Sequence, residues 1–278
     1  MVRITALLSR ASEHVDSLLP LAAVPLVLGA VSVDKFRRIA ASNADFRAGV
    51  SFGFPTTVST AWDLLSLPNA SPGLNLPTGS LETTALFMLA ATVLSALLGA
   101  GYLGSIRREL AGVDRGFLAD VRTYFVPFLG FELVNLTLVL GAVATALVAL
   151  PLSLAFVLLL FAFAYLFYAT PYLVVVEGVD LPTALRRSYG YATSSVEYVS
   201  FFVQYLVAVA LVSVVATPLF ANSVSAAALG VVVLAPVALL LDTVTMLFVR
   251  DLTGATGHEG PTDPGPDPAD QSNMPVET

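Results

Sequence analysis

The sequence predicts an all-α integral membrane protein with six transmembrane helices and interfacial elbow helices. Of its 278 residues, 56% are hydrophobic and only 12% are charged, and the mean hydropathy is +0.83. A soluble domain of this size carries about 25% charged residues, so this chain has too few of them to cover a water-facing surface. Lipid is therefore the expected solvent, and a helix is the structure that satisfies its own backbone there.

Six apolar stretches form a predicted membrane domain over residues 18–250. The stretch 124–176 far exceeds the roughly 20 residues that cross a bilayer, so we expect it to fold back near Pro151 as a helical hairpin. The stretch 196–249 is expected to turn in the same way between Thr217 and Ser223. The six predicted spans are residues 18–33, 83–106, 124–148, 152–176, 196–216 and 224–249.

The two flanks of the membrane domain have different patterns. Apolar residues recur at helical spacing in residues 1–17, which predicts an amphipathic helix in the membrane interface. Glu13 and Asp16 precede the first apolar run, whereas a signal peptide has a positive leader, so we expect this segment to be retained. Residues 251–278 are acidic and rich in proline, which predicts a disordered tail.

The positive charges predict the orientation. With six spans, both termini and the second and fourth connections lie on one side, which holds nine arginines against four basic residues on the other. The positive-inside rule then places both termini in the cytoplasm of a cell-membrane protein. The connection 34–82 would lie outside, either as a packed cap over the bundle or as a ligand-gating loop. The nine are Arg3, Arg10, Arg107, Arg108, Arg115, Arg122, Arg186, Arg187 and Arg250; the four are Lys35, Arg37, Arg38 and Arg47.

Both cytoplasmic connections are predicted to form elbow helices that re-enter the membrane. In the fourth connection, Asp180 is expected to cap a short helix with Pro182 in its first turn. Arginines near the surface attract anionic lipid by about 1 kcal/mol each. The elbows are thus either plain hinges or sites for a lipid headgroup or a partner. Their candidate residues are Arg107, Arg108, Arg186, Arg187 and Ser188.

The second elbow also carries a family resemblance. The stretch VVEGVDLPTALRRSYGYATSSVEYV resembles the E-G-x-x-x-x-x-A-[LF]-x-R-S elbow in the membrane domain of glycerophosphoryl diester phosphodiesterase-like proteins and related prokaryotic membrane proteins. The stretch MLFVRDLTG is similar to their terminal L-x-Y-x-D-L-R signature, with Thr253 in place of the arginine. The stretch GYLGSIRRELAG resembles a Gly-Tyr…Arg-Arg elbow of an archaeal membrane family. The first match rests on Glu177, Gly178, Ala184, Leu185, Arg187 and Ser188.

The resemblance implies a membrane domain without phosphodiesterase activity, because the family's catalytic barrel is a separate soluble domain for which this chain has no room. The residues point the same way. The sequence has no cysteine and only His14 and His258, and it contains neither HExxH nor GxSxG. We therefore expect no enzymatic activity, no cofactor and no metal site.

Five polar residues are predicted to lie inside the spans at a common depth, about 12 Å from the cytoplasmic boundary at 1.5 Å per residue. Ionisable groups in a membrane are costly and suggest function. In one interpretation, Glu132 and Asp242 face each other and share a proton or a cation. In the other, the polar groups form a hydrogen-bonded clasp between helices. The intramembrane polar cluster is Glu132, Asn135, Tyr168, Gln204 and Asp242.

The sequence thus predicts a non-enzymatic membrane module that engages membrane lipids or partner membrane proteins. The alternative is a small transporter or channel that uses the polar cluster in the cytoplasmic half of the bundle. The chain has one lysine, 12 arginines and 20 acidic residues, for a net charge of −7. This balance is typical of halophilic archaeal proteins and argues against nucleic-acid binding, which needs a basic surface.

Overall fold

The computed structural model describes residues 4–42, 48–67, 81–113, 116–148 and 150–254, and all regular structure in them is helical, which confirms the predicted fold class. Two short 3-10 helices, Leu19–Ala22 and Ala61–Asp63, accompany the α-helices. The α-helices are α1 Ile4–Ser12, α2 Val15–Leu18, α3 Ala23–Val31, α4 Val33–Ala40, α5 Leu81–Ala111, α6 Phe117–Val148, α7 Leu150–Phe167, α8 Thr170–Glu177, α9 Leu181–Ser194, α10 Val196–Phe220 and α11 Val224–Thr253.

Five helical segments in this part of the chain are long and apolar enough to cross a membrane. The count becomes six if Ile4–Ser12 and Val15–Val31 form one span, although the two are bent by 69°. The bend lies between Ser12 and Val15, before the predicted span 18–33. That span is not one regular helix either, because the 3-10 helix Leu19–Ala22, which contains Pro20, stands between α2 and α3. The five segments are Ala85–Ala111, Phe117–Thr145, Leu154–Glu177, Val196–Phe220 and Val224–Thr253.

The two predicted elbows have different outcomes. The first is not a separate helix, because α6 runs without interruption from Phe117 to Val148. The second is the separate helix α9, as predicted. Asp180 accepts a hydrogen bond from the Thr183 N–H at 3.3 Å, and Pro182 lies in the first turn. Gly178 ends α8 with a φ of 66°, a left-handed conformation that suits glycine at a helix end.

Helix α11 lies at the centre of the bundle and contacts α1, α3, α8 and α10. Its residues 241–249 are all buried. The apolar face of α1, with Leu7 and Ala11, is also buried. Arg10 of α1 forms an ion pair with Asp251 of α11 at 2.6 Å. The interfacial position of residues 1–17 stays a prediction, and the predicted tail beyond Gly254 lies outside the described residues.

The described middle of the connection 34–82 is not a cap over the bundle. Residues 48–67 instead enter the bundle as an irregular hairpin, here called the re-entrant hairpin. Its two arms lie side by side, since the Ser51 hydroxyl donates to the Asp63 carbonyl at 2.9 Å. Gly53 also lies against that carbonyl, which a Cβ atom at Gly53 would approach to 2.7 Å.

The contacts of the re-entrant hairpin with α10 show how deep it goes. Near the C-terminal end of α10, the Ser66 N–H donates to Thr217 Oγ1 at 3.0 Å. At the tip, Ser59 Oγ lies 3.2 Å from the Tyr205 hydroxyl. Tyr205 and Thr217 are about 18 Å apart along α10 at 1.5 Å per residue, so the tip reaches about that far into the bundle.

Polar groups and one large aromatic side chain fix this non-helical backbone. Thr60 and Asp63 form a capping box around the 3-10 helix Ala61–Asp63. The indole N–H of Trp62 donates to the Gly29 carbonyl of α3 at 2.8 Å. Irregular backbone is tolerated at membrane depth where protein surrounds it and satisfies its polar groups. The prediction of a surface cap was wrong because it did not account for these internal partners.

Candidate functional site

Asp242 lies fully buried at the tip of the re-entrant hairpin, with 0% of its surface exposed. Its Oδ2 accepts hydrogen bonds from the Ser59 N–H at 3.0 Å and the Tyr102 hydroxyl at 2.9 Å. Its Oδ1 accepts one from the Ser59 hydroxyl at 2.6 Å. The Tyr172 hydroxyl lies 3.4 Å from Oδ1 and donates to the Thr56 carbonyl at 2.9 Å. One carboxyl thus joins α5, α8, α11 and the hairpin.

The hydrogen bonds of Asp242 extend through Ser59 to a further tyrosine. The Ser59 hydroxyl also lies 3.2 Å from the Tyr205 hydroxyl, and either of these two groups can donate to the other. Asp242, Ser59 and Tyr205 are thus linked in one buried hydrogen-bond network. Removing one member of a buried network leaves its partners unsatisfied.

Glu132 has a different partner. Its Oε1 accepts a hydrogen bond from the Thr57 hydroxyl at 3.2 Å. No hydrogen bond joins Glu132 to Asp242 in the part of the chain that the structure describes, so the predicted pair of facing carboxyls is not formed. The reason is that the re-entrant hairpin lies between them. Thr57 donates a hydrogen bond to Glu132, and Ser59, two positions later, donates to Asp242.

Glu132 lies in the wall of a cavity of about 470 Å³ between α6, α7 and the re-entrant hairpin. We call this space the α6–α7 cavity. It is lined by polar residues from three parts of the chain and by aromatic rings, whereas Asp242 does not reach it. The polar lining residues are Thr56, Thr57, Asp63, Ser95, Glu132 and Asn135, and the aromatic ones are Phe54, Phe131, Phe163, Phe167 and Tyr168.

The structure therefore divides the predicted polar cluster. Glu132, Asn135 and Tyr168 all line the α6–α7 cavity. The Tyr168 hydroxyl, however, donates a hydrogen bond to the Tyr198 carbonyl at 3.3 Å. Asp242 lies in the core. Gln204 is elsewhere, since its Oε1 accepts the Ile4 N–H of α1 at 2.9 Å.

The arginines after the second predicted span connect α5 with α6. Arg107 donates to the Tyr124 hydroxyl at 2.8 Å. Arg108 forms an ion pair with Asp120 at 3.8 Å. Both side chains thus have intramolecular partners at this end of the bundle.

The second elbow has an exposed face and a buried face. Arg186 is exposed and has no ion-pair or hydrogen-bond partner among the described residues. The side chain of Arg187 is 46% exposed and pairs with Glu177 at 2.5 Å. Ser188 is fully buried and donates to the Leu166 carbonyl at 2.7 Å. Of the two roles predicted for Ser188, headgroup binding or a part of the elbow, its burial argues against the first, and its hydroxyl holds α9 to α7.

The sequence analysis missed five residues that bind the two intramembrane carboxyls or their partners. Three are tyrosines in apolar helices, where they do not differ in pattern from other aromatic core residues. For the hairpin residues there was a signal, because Thr60 and Asp63 have capping-box spacing, which indicates an ordered turn within the connection. The missed residues are Thr57, Ser59, Tyr102, Tyr172 and Tyr205.

Comparison of the chain with protein-family models, with curated proteins and with solved structures found no match. The resemblance to the membrane domain of phosphodiesterase-like proteins therefore stays a prediction.

Proposed function

We propose that this chain is a non-enzymatic, multi-pass membrane module that engages anionic membrane lipid through α9. The observation that carries this proposal is the exposed face of α9, where Arg186 and Arg187 lie beside Tyr189, whose surface is 53% exposed. The opposite face, with Ala184, Ser188 and Ala192, is buried and holds the helix against the bundle.

The chemistry of this face suits a phosphate headgroup. A guanidinium group presents a planar set of N–H donors that matches phosphate oxygens. The Arg186 guanidinium is exposed and available, while Arg187 is oriented by Glu177 and remains half-exposed. Tyrosine is enriched where a membrane meets water. An acidic partner protein could use the same arginines, and the lipid experiment below distinguishes the two.

We place both termini in the cytoplasm of a cell-membrane protein, on the strength of the nine arginines on that side. In this orientation α9 faces the cytoplasmic leaflet, whose anionic lipids attract arginine. The lysine-poor, acidic composition supports a halophilic archaeal source.

The test uses the full chain in nanodiscs of mixed phosphatidylglycerol and phosphatidylcholine. Arg186→Ala removes the unpaired guanidinium without breaking the Arg187–Glu177 ion pair. Each arginine is worth about 1 kcal/mol to anionic lipid, so we expect bound phosphatidylglycerol, measured by native mass spectrometry, to fall about fivefold. The matched control is Arg37→Ala on the other predicted side. Unchanged phosphatidylglycerol in folded Arg186→Ala would contradict lipid engagement and leave the partner-protein version.

A second candidate function is a small transporter or channel. The observation that favours it is the position of Glu132, which is near the middle of the long helix α6 and in the wall of the α6–α7 cavity. The measurement is cation or proton flux into vesicles containing the wild type or Glu132→Gln. Flux that is lost in a folded variant supports this candidate, whereas a wild type without flux rejects it.

A further inference from the structure

The α6–α7 cavity has the size and position of a site for a molecule that enters from the lipid. Its volume of about 470 Å³ lies within the range of about 300–1,000 Å³ that is typical of small-molecule sites. Val139 lines it and is 46% exposed, so an apolar residue of α6 lies at the rim of the cavity. Because α6 is long and apolar enough to cross a membrane, we infer that this rim opens toward hydrocarbon.

Aromatic rings form much of the cavity wall. Phe131 of α6 stacks on Phe163 of α7 with ring centroids 6.3 Å apart, and Phe163 contacts Phe167 at 4.8 Å. The rings of Phe54 and Tyr168 add further wall from the hairpin and from the end of α7. Ring faces attract cations and also accept apolar substituents, so a wall of this kind suits a cation that carries hydrophobic groups.

The ionisable side chains that line the α6–α7 cavity are all acidic. Glu132 accepts a single hydrogen bond, from Thr57, and its Oε2 has no partner among the described residues. Asp63 is the other carboxyl, and its Oδ2 is occupied by Thr60. The described lining residues include no lysine, arginine or histidine. A carboxylate in apolar surroundings is costly unless it takes up a proton or a positive charge compensates it, so a bound cation would stabilise its ionised form.

The lining also excludes the commonest lipid headgroups. A phosphodiester carries a negative charge that would meet Glu132 with no basic side chain beside it. The carboxamide of Asn135, one turn from Glu132, adds a carbonyl acceptor but no charge. The lining therefore favours a cation without an attached phosphate.

We propose that the α6–α7 cavity binds lipophilic organic cations of the quaternary ammonium or phosphonium type, with Glu132 as counter-ion and the Phe131, Phe163 and Phe167 rings as the aromatic wall. This site uses no residue of α9. It therefore does not depend on the proposed lipid binding, and either can fail without the other.

The probe is tetraphenylphosphonium, with the full chain in nanodiscs and empty nanodiscs as the partition blank. We expect saturable binding by the wild type. Glu132→Gln should weaken it at least about tenfold, because the counter-ion is lost while the shape is kept. Glu197→Gln, at an exposed carboxyl of α10, is the charge-matched control and should bind as the wild type does. Phe163→Leu should also weaken binding, because it removes one ring face.

Two further measurements distinguish a variant that has lost the binding site from one that has lost its fold. Val139→Trp changes an exposed rim residue and no hydrogen bond, so it should fold normally and block the entrance. Tetraphenylborate has a closely similar shape and the opposite charge, so, measured on its own, it should show no saturable binding. Absence of saturable tetraphenylphosphonium binding by the folded wild type, equal binding by folded Glu132→Gln, or saturable binding of tetraphenylborate alone would each overturn the proposal.

Discussion

Ser59 binds Asp242 through two hydrogen bonds, one from its backbone N–H at 3.0 Å and one from its hydroxyl at 2.6 Å, although 183 positions separate the two residues. The tip of the re-entrant hairpin is thereby attached to the central helix of the bundle. The early and late parts of the chain form one structure through this contact, and four predictions test it and its surroundings.

Ser59→Ala should destabilise the protein. It removes the hydroxyl that lies between Asp242 and Tyr205, and a buried polar group left without its hydrogen bond costs about 1–3 kcal/mol. Unfolding by SDS in mixed micelles measures the change. The control is Ser194→Ala, whose exposed hydroxyl bonds only to its own helix. Equal stability of the two variants would contradict the polar attachment of the hairpin.

A disulfide should form between Ser51→Cys and Ser213→Cys. The Ser51 N–H lies 2.8 Å from Ser213 Oγ, so the hairpin arm and α10 are adjacent there. The chain has no cysteine of its own, so the reaction can be read directly by mass spectrometry after mild oxidation. Ser51→Cys combined with Ser194→Cys, at the C-terminal end of α9 and 19 positions before Ser213, should stay reduced. If neither pair reacts, residues 48–67 do not enter the bundle as described.

Gly53→Ala should destabilise the re-entrant hairpin. The new Cβ would lie 2.7 Å from the Asp63 carbonyl oxygen, which is backbone and cannot rotate away. Overpacking of this kind costs about 1–3 kcal/mol. Gly190→Ala in α9 is the matched control, because its Cβ meets nothing within 4 Å and alanine favours a helix. The melting temperature should therefore fall in Gly53→Ala and rise in Gly190→Ala. An unchanged melting temperature of Gly53→Ala would argue against the side-by-side packing of the two hairpin arms.

Two single-cysteine variants should test the proposed orientation. Ser194 is the last residue of α9 and Ser225 lies in the first turn of α11, and both are exposed. With both termini in the cytoplasm, an impermeant maleimide applied to intact cells should label Ser225→Cys and not Ser194→Cys. The converse pattern would invert the map. Cell lysis before labelling should expose both and serves as the control.

Local patterns in the sequence were sufficient to predict most of the fold. The stretches that became α5, α6, α10 and α11 are apolar over more than a bilayer's width, and lipid permits only helix there. Asp180 and Pro182 likewise predicted the start of α9, because a cap and a first-turn proline act locally. An apolar run, a helix cap and a first-turn proline all act through residues that are close in the sequence. A single sequence therefore contains the information needed to predict them.

The polar core was not predictable in the same way. Placing Glu132 and Asp242 at one depth assumed that helices alone fill the bundle. The re-entrant hairpin enters between them, and it is held by single hydroxyls whose partners lie more than 70 positions away. Ser188 shows the same limit on a smaller scale, since its position beside two arginines suggested exposure whereas its face of α9 is buried. Which face is buried depends on the packing of α7, not on the local sequence.

The re-entrant hairpin has a consequence for biogenesis. The ribosome makes residues 48–67 long before Tyr205, Ser213 and Asp242, so the nascent hairpin has none of these partners when it leaves the exit tunnel. The hairpin can reach its buried position only after the insertion machinery has released α10 and α11. A nascent chain ending after Phe220 should therefore leave a cysteine at position 59 open to maleimide, and completion of α11 should protect it.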